Sequence, residues 1–151
     1  MIKHIIKLEE GFRPRPYLCS EGYVTIGYGT KLHSTPNLDP SKFELKVTEE
    51  AALALLKSRV SELRFRLRFS SRGAVFQNLS EERQSILLSM AYQMGISGVL
   101  QFKNMWAALE AEDYRTAAIE MLDSKWANQT RARATRHSTA LMYDTLEMYK
   151  G

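Results

Sequence analysis

The sequence of 151 residues contains a single cysteine, so no intramolecular disulfide can form and the fold must be stable without one. No apolar run approaches the roughly 20 residues that a membrane-spanning helix requires. The first eight residues are interrupted by Lys3, His4 and Lys7, so we expect no secretory signal there. His4, His33 and His137 are scattered without the spacing of metal ligands, so no metal site is expected.

Neither sign of charge dominates, and the composition has no strong bias. Hydrophobic residues make up 44% of the chain and charged residues 25%, which excludes a disordered, collagen-like or membrane protein. The length suits one domain, or one domain with two lobes, with a real hydrophobic core. The net charge of +4 would assist association with nucleic acid, lipid head groups or a bacterial wall, but it does not choose among them.

Arginines are concentrated in two places along the chain. Their ordinary interpretation is a solvated helix face or a set of salt bridges, and we find no aromatic residues interleaved in the manner of a nucleic-acid site. We therefore expect no nucleic acid partner. The two clusters are Arg64, Arg66, Arg68 and Arg72, and Arg131, Arg133 and Arg136.

The N-terminal third shows the only strand signals, between about residues 17 and 35. Apolar residues at helical spacing predict a first helix that ends at Gly11, and Pro14 and Pro16 then require extended backbone. Residues 17–19 and 23–26 flank a Gly-bearing turn, which predicts a β-hairpin. Gly27 and Gly29 lack the third glycine and following helix of a dinucleotide motif, so no cofactor is expected.

The spacing of apolar residues and the capping residues predict that the rest of the chain is helical. Thr48 is a predicted N-cap for a helix that runs to about Arg68, spans about 30 Å and can connect two lobes. Ser80 begins another helix, which Gly95 ends. Further helices are predicted over residues 99–111, 114–123, 131–141 and 143–149. The fold class is therefore α+β, with a small β lobe over about residues 12–47, a connecting helix over 48–68, and a larger all-helical lobe from residues 1–11 and 69–151.

Three residues of the N-terminal third can carry chemistry. Glu10, Cys19 and Thr25 supply a carboxylate, a thiol and a hydroxyl. Taken singly, they are most simply a surface carboxylate, a small buried apolar residue and a strand residue. Together they suit glycosidic bond cleavage, which needs an acid at the leaving oxygen and a second group that activates water or attacks. A chain that bends back at Gly11 can bring them together at a cleft between lobes.

The spacing of these three residues resembles the catalytic triad of the T-even-type phage lysozymes, glycoside hydrolase family 24. Eight residues separate Glu10 from Cys19, and five separate Cys19 from Thr25. The likeness extends to E-G-Y-V-T-I-G-Y-G at residues 21–29, Q-M-G-I-S-G-V at 93–99 and W-A-N-Q-T at 126–130. The resemblance implies a lysozyme-like fold, with a small β lobe joined by a long helix to a helical lobe.

The resemblance also implies roles for individual residues. Glu10 is the general acid, Cys19 occupies the second catalytic position, where the best-known relatives carry Asp, and Thr25 completes the triad. In an inverting scheme Cys19 helps to activate water, whereas in a retaining scheme its thiolate attacks the anomeric carbon. The other implied positions are substrate-binding Lys31, Tyr92, Gln93, Met105 and Glu120, with Trp126 as a partner of Gln93 and Arg133 as a partner of the catalytic Glu.

The expected function is that of a monomeric endolysin. It would hydrolyse the β-1,4 bond between N-acetylmuramic acid and N-acetylglucosamine in peptidoglycan, without a cofactor and without stable membrane insertion. It would stay in the host cytoplasm until a separate holin releases it to the periplasmic wall. Two alternatives stay open, a lytic transglycosylase and a catalytically inactive wall-binding relative.

Overall fold

A computed structural model describes residues 1–150 and confirms the α+β class. The chain forms α1 (Ile2–Glu10), β1 (Arg13–Leu18), β2 (Val24–Gly27), β3 (Thr30–Lys31), a 3-10 turn (Pro40–Lys42), α2 (Glu49–Arg68), α3 (Gly73–Asn78), α4 (Glu81–Leu100), α5 (Lys103–Glu110), α6 (Tyr114–Leu122), α7 (Lys125–Gln129), α8 (Arg131–Tyr143) and a second 3-10 turn (Glu147–Tyr149). The three strands within residues 1–150 make one antiparallel sheet in the order β1-β2-β3, which agrees with a lysozyme-like fold.

The chain divides into two compact units. The first unit is residues 3–61, and the second is residues 62–151 together with residues 1–2. The boundary falls inside α2, the helix that the sequence predicts as a connector. Residues 3–11 belong to the unit that holds the sheet, whereas the sequence assigns them to the helical lobe. The description of the whole chain as one lysozyme domain stays a prediction.

The first unit is built from α1, the sheet and the start of α2. Gly11 ends α1 as predicted, with φ of +70° and its N–H donating to the Lys7 carbonyl oxygen at 3.0 Å. Strand β1 contains Pro14 and Pro16, which is tolerated because β1 lies at an edge of the sheet. The Thr48 hydroxyl accepts from the Ala51 N–H at 3.1 Å, so the predicted N-cap of α2 is confirmed.

The second unit is helical. The Ser80 side chain accepts from the Arg83 N–H at 3.2 Å and confirms the predicted start of α4. Gly95 has φ of +81° and ψ of 168°, so it interrupts the helix, but helical turns resume and continue to Leu100. The sequence thus predicted correctly that helical geometry is interrupted at Gly95, but the prediction that α4 ends there is wrong. None of the helices described over residues 1–150 is long and apolar enough to cross a membrane.

The remaining differences from the sequence predictions occur at short connections. The helix predicted over residues 99–111 begins only at Lys103, because Gln101 and Phe102 close the end of α4. The helix predicted over 143–149 is wrong, since Asp144 adopts a left-handed conformation at φ of +53° and only a 3-10 turn follows. Helices α3 and α7, of six and five residues, are too short to leave a periodic signal.

Candidate active site

The three predicted catalytic residues all lie in the first unit. Glu10 is the last residue of α1, Cys19 follows directly after β1, and Thr25 lies in the central strand β2. The sheet pairs Thr25 with Tyr17 on one side and with Lys31 on the other. Cys19 therefore lies two residues beyond a residue that is paired with Thr25, which brings the second and third members of the predicted triad to the same end of the hairpin.

The Glu10 carboxylate lies against the backbone of Gly29, in the connection between β2 and β3. A Cβ atom added at Gly29 would stand 2.9 Å from Glu10 Oε2 and 3.1 Å from Glu10 Cδ, and Gly29 has φ of +78°. Any side chain at this position would therefore occupy the space that the carboxylate now fills. The end of α1 and the turn after β2 together fix where the proposed acid is held.

Gly29→Ala is expected to lower hydrolytic activity by about tenfold to hundredfold, because a displaced catalytic group can cost that much in rate. The carboxylate is the flexible end of its side chain, so it can move aside, and the loss of stability should be limited to about 1–2 kcal/mol of backbone strain. Assays of kcat/KM and urea unfolding measure the two effects.

Gly11→Ala is the matched control for this prediction. Gly11 has a similar φ of +70°, but a Cβ atom there would meet nothing within 4 Å. The control should lose similar stability and keep its activity. Equal activity losses in the two variants would show that strain, and not the position of Glu10, is responsible.

Thr25 and Cys19 are held by one carbonyl group. The Thr25 hydroxyl donates to the Tyr23 carbonyl oxygen at 2.8 Å, and the Cys19 N–H donates to the same oxygen at 2.9 Å. Because the hydroxyl proton is engaged, Thr25 offers lone pairs and no second proton. The geometry favours Thr25 as an acceptor for a water molecule, rather than as a donor that orients the thiol.

Cys19 is a free, partly exposed thiol at the start of the hairpin turn. Its carbonyl oxygen accepts from the Gly22 N–H at 2.9 Å, and the Gly22 carbonyl oxygen accepts from the Asn37 N–H at 2.7 Å. The turn is therefore tied to the loop that follows β3. Its partial exposure differs from the buried apolar role that is the ordinary interpretation of a lone cysteine.

Tyr17 lies within the electrostatic reach of two of the three predicted catalytic residues, Glu10 and Cys19. Burial, the nearby Glu10 carboxylate and the Cys19 side chain raise the pKa of Tyr17, and the Arg13 guanidinium opposes them. That guanidinium stacks 4.2 Å from the centre of the tyrosine ring. Sequence reasoning missed this residue, although Tyr17 and Cys19 share the two-residue period of a strand face.

Tyr28 anchors the backbone next to Gly29. Its ring is 2% exposed, and its hydroxyl donates to Glu49 Oε1 at 2.6 Å in the first turn of α2. Burial and this hydrogen bond raise the pKa of Tyr28 to about 12, so the hydroxyl keeps its proton at neutral pH. Tyr28 therefore fixes the strand end that lies against the Glu10 carboxylate.

The second unit contains all of the remaining predicted site residues except Lys31, which belongs to the first unit. Trp126 Nε1 donates to Gln93 Oε1 at 2.8 Å, which confirms the predicted pair. Tyr92 is partly exposed beside Gln93 on α4. The predicted pairing of Arg133 with Glu10 joins residues of different units and stays a prediction.

A cavity of about 370 Å³ within the second unit is lined by two of the five predicted substrate-binding residues, Met105 and Glu120. Met105 is 1% exposed, so it contributes to the wall of the cavity and not to an open surface. Glu120 accepts from Asn104 Nδ2 at 3.5 Å at the same cavity. Lys31 belongs to the first unit, where its Nζ lies 4.4 Å from the centre of the Tyr23 ring. The sugar contacts of Lys31, Met105 and Glu120 stay predictions.

Arg133 is held by a buried polar network that the sequence did not predict. Its Nη2 donates to the carbonyl oxygen and to Oγ of Ser89, both at 3.1 Å. His137 Nε2 lies 2.7 Å from the same Oγ, and His137 Nδ1 is hydrogen-bonded to the Tyr149 hydroxyl. A neutral imidazole carries one N–H, so one of these two ring nitrogens donates and the other accepts. The network connects α4, α8 and the C-terminal 3-10 turn.

His137→Gln is expected to flatten the dependence of stability on pH. Burial, followed by the charges of Arg133 and Arg136, holds the pKa of His137 well below its usual range. Below about pH 6.5 the unfolded ring gains a proton that the folded ring does not, so stability falls as pH falls, by up to about 1.4 kcal/mol per unit. The variant should be less stable at neutral pH but lack this slope.

Urea unfolding of both proteins between about pH 5 and pH 7.5 covers this window. The stability difference between wild type and His137→Gln should shrink as the pH is lowered. Parallel pH dependences would contradict the assignment of a neutral, buried imidazole in the native state. Ser89→Ala provides a second variant, which disturbs the network but keeps the titrating ring.

No group of three or more His, Cys, Asp or Glu side chains in residues 1–150 is arranged to hold a metal ion.

Most of this chain matches known proteins in sequence. The model of the phage lysozyme family matches residues 7–140. The pre-baseplate central spike protein Gp5 of Enterobacteria phage T4 is 30% identical over 96% of this chain, and the chain spans 28% of its length. Probable T4-type lysozymes 1 and 2 of Dictyostelium discoideum are each 29% identical over 99% of this chain and 98% of their own length.

Proposed function

Because the chain belongs to the phage lysozyme family of peptidoglycan-degrading glycoside hydrolases, we propose that it hydrolyses the β-1,4 bond between N-acetylmuramic acid and N-acetylglucosamine. The observation that carries the proposal is the placement of Glu10, Cys19 and Thr25 in one compact unit. The carboxylate is packed on the Gly29 backbone, and the other two residues are fixed by the Tyr23 carbonyl oxygen. These are the groups that acid-assisted cleavage of a glycosidic bond requires.

In the proposed reaction Glu10 protonates the glycosidic oxygen as the bond to the anomeric carbon breaks. A water molecule that is held by the free lone pairs of Thr25 attacks the anomeric carbon, and Cys19 assists removal of its proton. This scheme inverts the configuration of the product. It is favoured over thiolate attack because the engaged Thr25 hydroxyl leaves an acceptor for water at the Cys19 end of the hairpin.

The mass of the products tests the reaction class. Digestion of a defined glycan strand should give fragments that have gained the mass of one water molecule, as hydrolysis requires. Anhydro products without that mass would indicate a lytic transglycosylase. Binding to the wall without cleavage would indicate an inactive relative.

We propose the biological role of an endolysin that acts on the bacterial wall as a monomer. The family match supports this role. In this role, a separate membrane-permeabilising protein gives the enzyme access from the host cytoplasm to the periplasmic wall. Expression of the chain alone should leave cells intact, and co-expression with a holin should lyse them. Lysis by the chain alone would contradict the dependence on a partner.

The likeness to a T4 spike protein supports a second candidate role, that of a wall-degrading part of a virion. Purified virions that contain the chain would favour this role. Its presence only in lysates of infected cells would favour the endolysin role. Both roles use the same proposed chemistry.

A further inference from the structure

The C-terminal end of α2 presents two phenylalanine side chains to solvent, Phe65 within the helix and Phe69 directly after it. Phe65 is 63% exposed and Phe69 is 70% exposed, and their ring centroids are 4.7 Å apart. The Phe69 N–H donates to the Phe65 carbonyl oxygen at 3.1 Å, so helical geometry continues to Phe69 and the two residues, four positions apart, lie on one face. Leu63 and Leu67, on another face, are fully buried. The leucines of this segment therefore pack into the core, whereas the two phenylalanines form a separate apolar pair that faces solvent.

Arginines surround this pair. Arg64, Arg66 and Arg68 are exposed on the same turns, and the Arg68 guanidinium is 6.0 Å from the centre of the Phe69 ring. We call Phe65, Phe69 and these three arginines the Phe-Arg face. Its aromatic residues do interleave with arginines, so the sequence interpretation of this cluster as lacking such a pattern was wrong.

Acidic residues neutralise only part of this charge. Arg66 Nη1 lies 3.8 Å from Glu62 Oε1, and Arg72, just beyond the face, lies 3.9 Å from Glu110 Oε2. Arg64 borders a cavity that Glu81 and Glu82 also line. Arg68 makes no salt bridge in the described part of the chain, and its position beside an exposed ring leaves it available to an anionic partner. The face thus combines apolar rings with positive charge.

We propose that the Phe-Arg face binds the surface of membranes that contain anionic phospholipids. Phenylalanine rings enter the boundary between head groups and acyl chains, whereas guanidinium groups form bidentate contacts with phosphates. The two rings lie on the convex surface of a helix and not in a groove. Single-stranded nucleic acid is usually bound in a positively charged groove that follows its backbone, so a convex face suits a flat lipid surface better. The binding is peripheral, so it agrees with the expectation of no stable membrane insertion.

Co-sedimentation of the full chain with vesicles tests the proposal. The wild type should bind vesicles of equal parts phosphatidylglycerol and phosphatidylcholine, and it should not bind vesicles of phosphatidylcholine alone. The double variant Phe65→Ser/Phe69→Ser should weaken binding at least tenfold. Arg66→Gln/Arg68→Gln should weaken it several-fold and reduce its sensitivity to salt.

A matched control variant is available on α6. Ile119 is 53% exposed and Arg115 is also exposed, so Arg115→Gln/Ile119→Ser removes the same kinds of group from another surface. The control should bind vesicles like the wild type. All three variants should hydrolyse isolated, lipid-free peptidoglycan at the wild-type rate, because none of these residues belongs to the proposed catalytic site.

Three outcomes would overturn the proposal. The first is that the phenylalanine double variant binds anionic vesicles as tightly as the wild type does. The second is that the wild type itself does not bind them. The third is tighter binding of the same face to a single-stranded oligonucleotide than to the vesicles. None of these outcomes depends on hydrolysis, so failure of this proposal is distinguishable from failure of the proposed enzymatic function.

Discussion

Glu10→Gln is expected to lower the rate of peptidoglycan hydrolysis by about 10²–10⁴-fold, the usual contribution of a general acid. Glutamine keeps the shape of the side chain, so it can still lie against the Gly29 backbone. It cannot donate an acidic proton to the glycosidic oxygen. Lysis of permeabilised Gram-negative cells and release of reducing ends from purified peptidoglycan both measure the effect.

Glu9→Gln is the control for this prediction. Glu9 and Glu10 are adjacent on α1 and both are partly exposed, so the two variants make the same chemical change at neighbouring positions. Successive residues of a helix point about 100° apart, so only one of the two can face the Gly29 turn. Glu9→Gln should retain activity within a few-fold. Full activity in Glu10→Gln would remove Glu10 from the role of the acid.

Strong local signals made much of the fold predictable. The Thr48 and Ser80 caps and the end of α1 at Gly11 depend on backbone groups within a few residues, and the structure confirms each of them. The ends of α4 and α8 were harder. A glycine normally stops a helix, but at Gly95 helical turns resume because only one residue departs from helical geometry. At Asp144 a non-glycine residue takes the left-handed conformation that ends α8.

The sequence predicted which residues form the candidate site, but it did not predict the contacts that hold them in place. Spacing along the chain identified Glu10, Cys19 and Thr25, because these residues occur in one short segment. The contact of Glu10 with Gly29 depends on where two elements cross, and no local pattern encodes such a crossing. The same limit applies to His137, which the sequence showed only as a scattered histidine, whereas the structure joins it to Ser89 on another helix.

Cys19→Ala is the second variant with a large expected effect, a decrease in kcat of about 10²-fold or more, because it removes the group that assists the attacking water. The backbone N–H of residue 19 still donates to the Tyr23 carbonyl oxygen, so the hairpin should fold normally. KM should change little, since the thiol is proposed to act on water and not to bind the sugar.

Cys19→Asp separates a catalytic role from a structural one. A carboxylate can assist the same water, so this variant should recover most of the activity that Cys19→Ala loses, and its activity should extend to lower pH because carboxyl groups ionise at lower pH than thiols. NMR of the first-formed anomer should show inversion for wild type and for Cys19→Asp alike. A retained configuration, together with a glycosyl adduct on the wild-type thiol, would instead identify Cys19 as the nucleophile. Full activity in Cys19→Ala would leave Glu10 and Thr25 as the catalytic residues, since a dispensable thiol cannot be the group that activates the water.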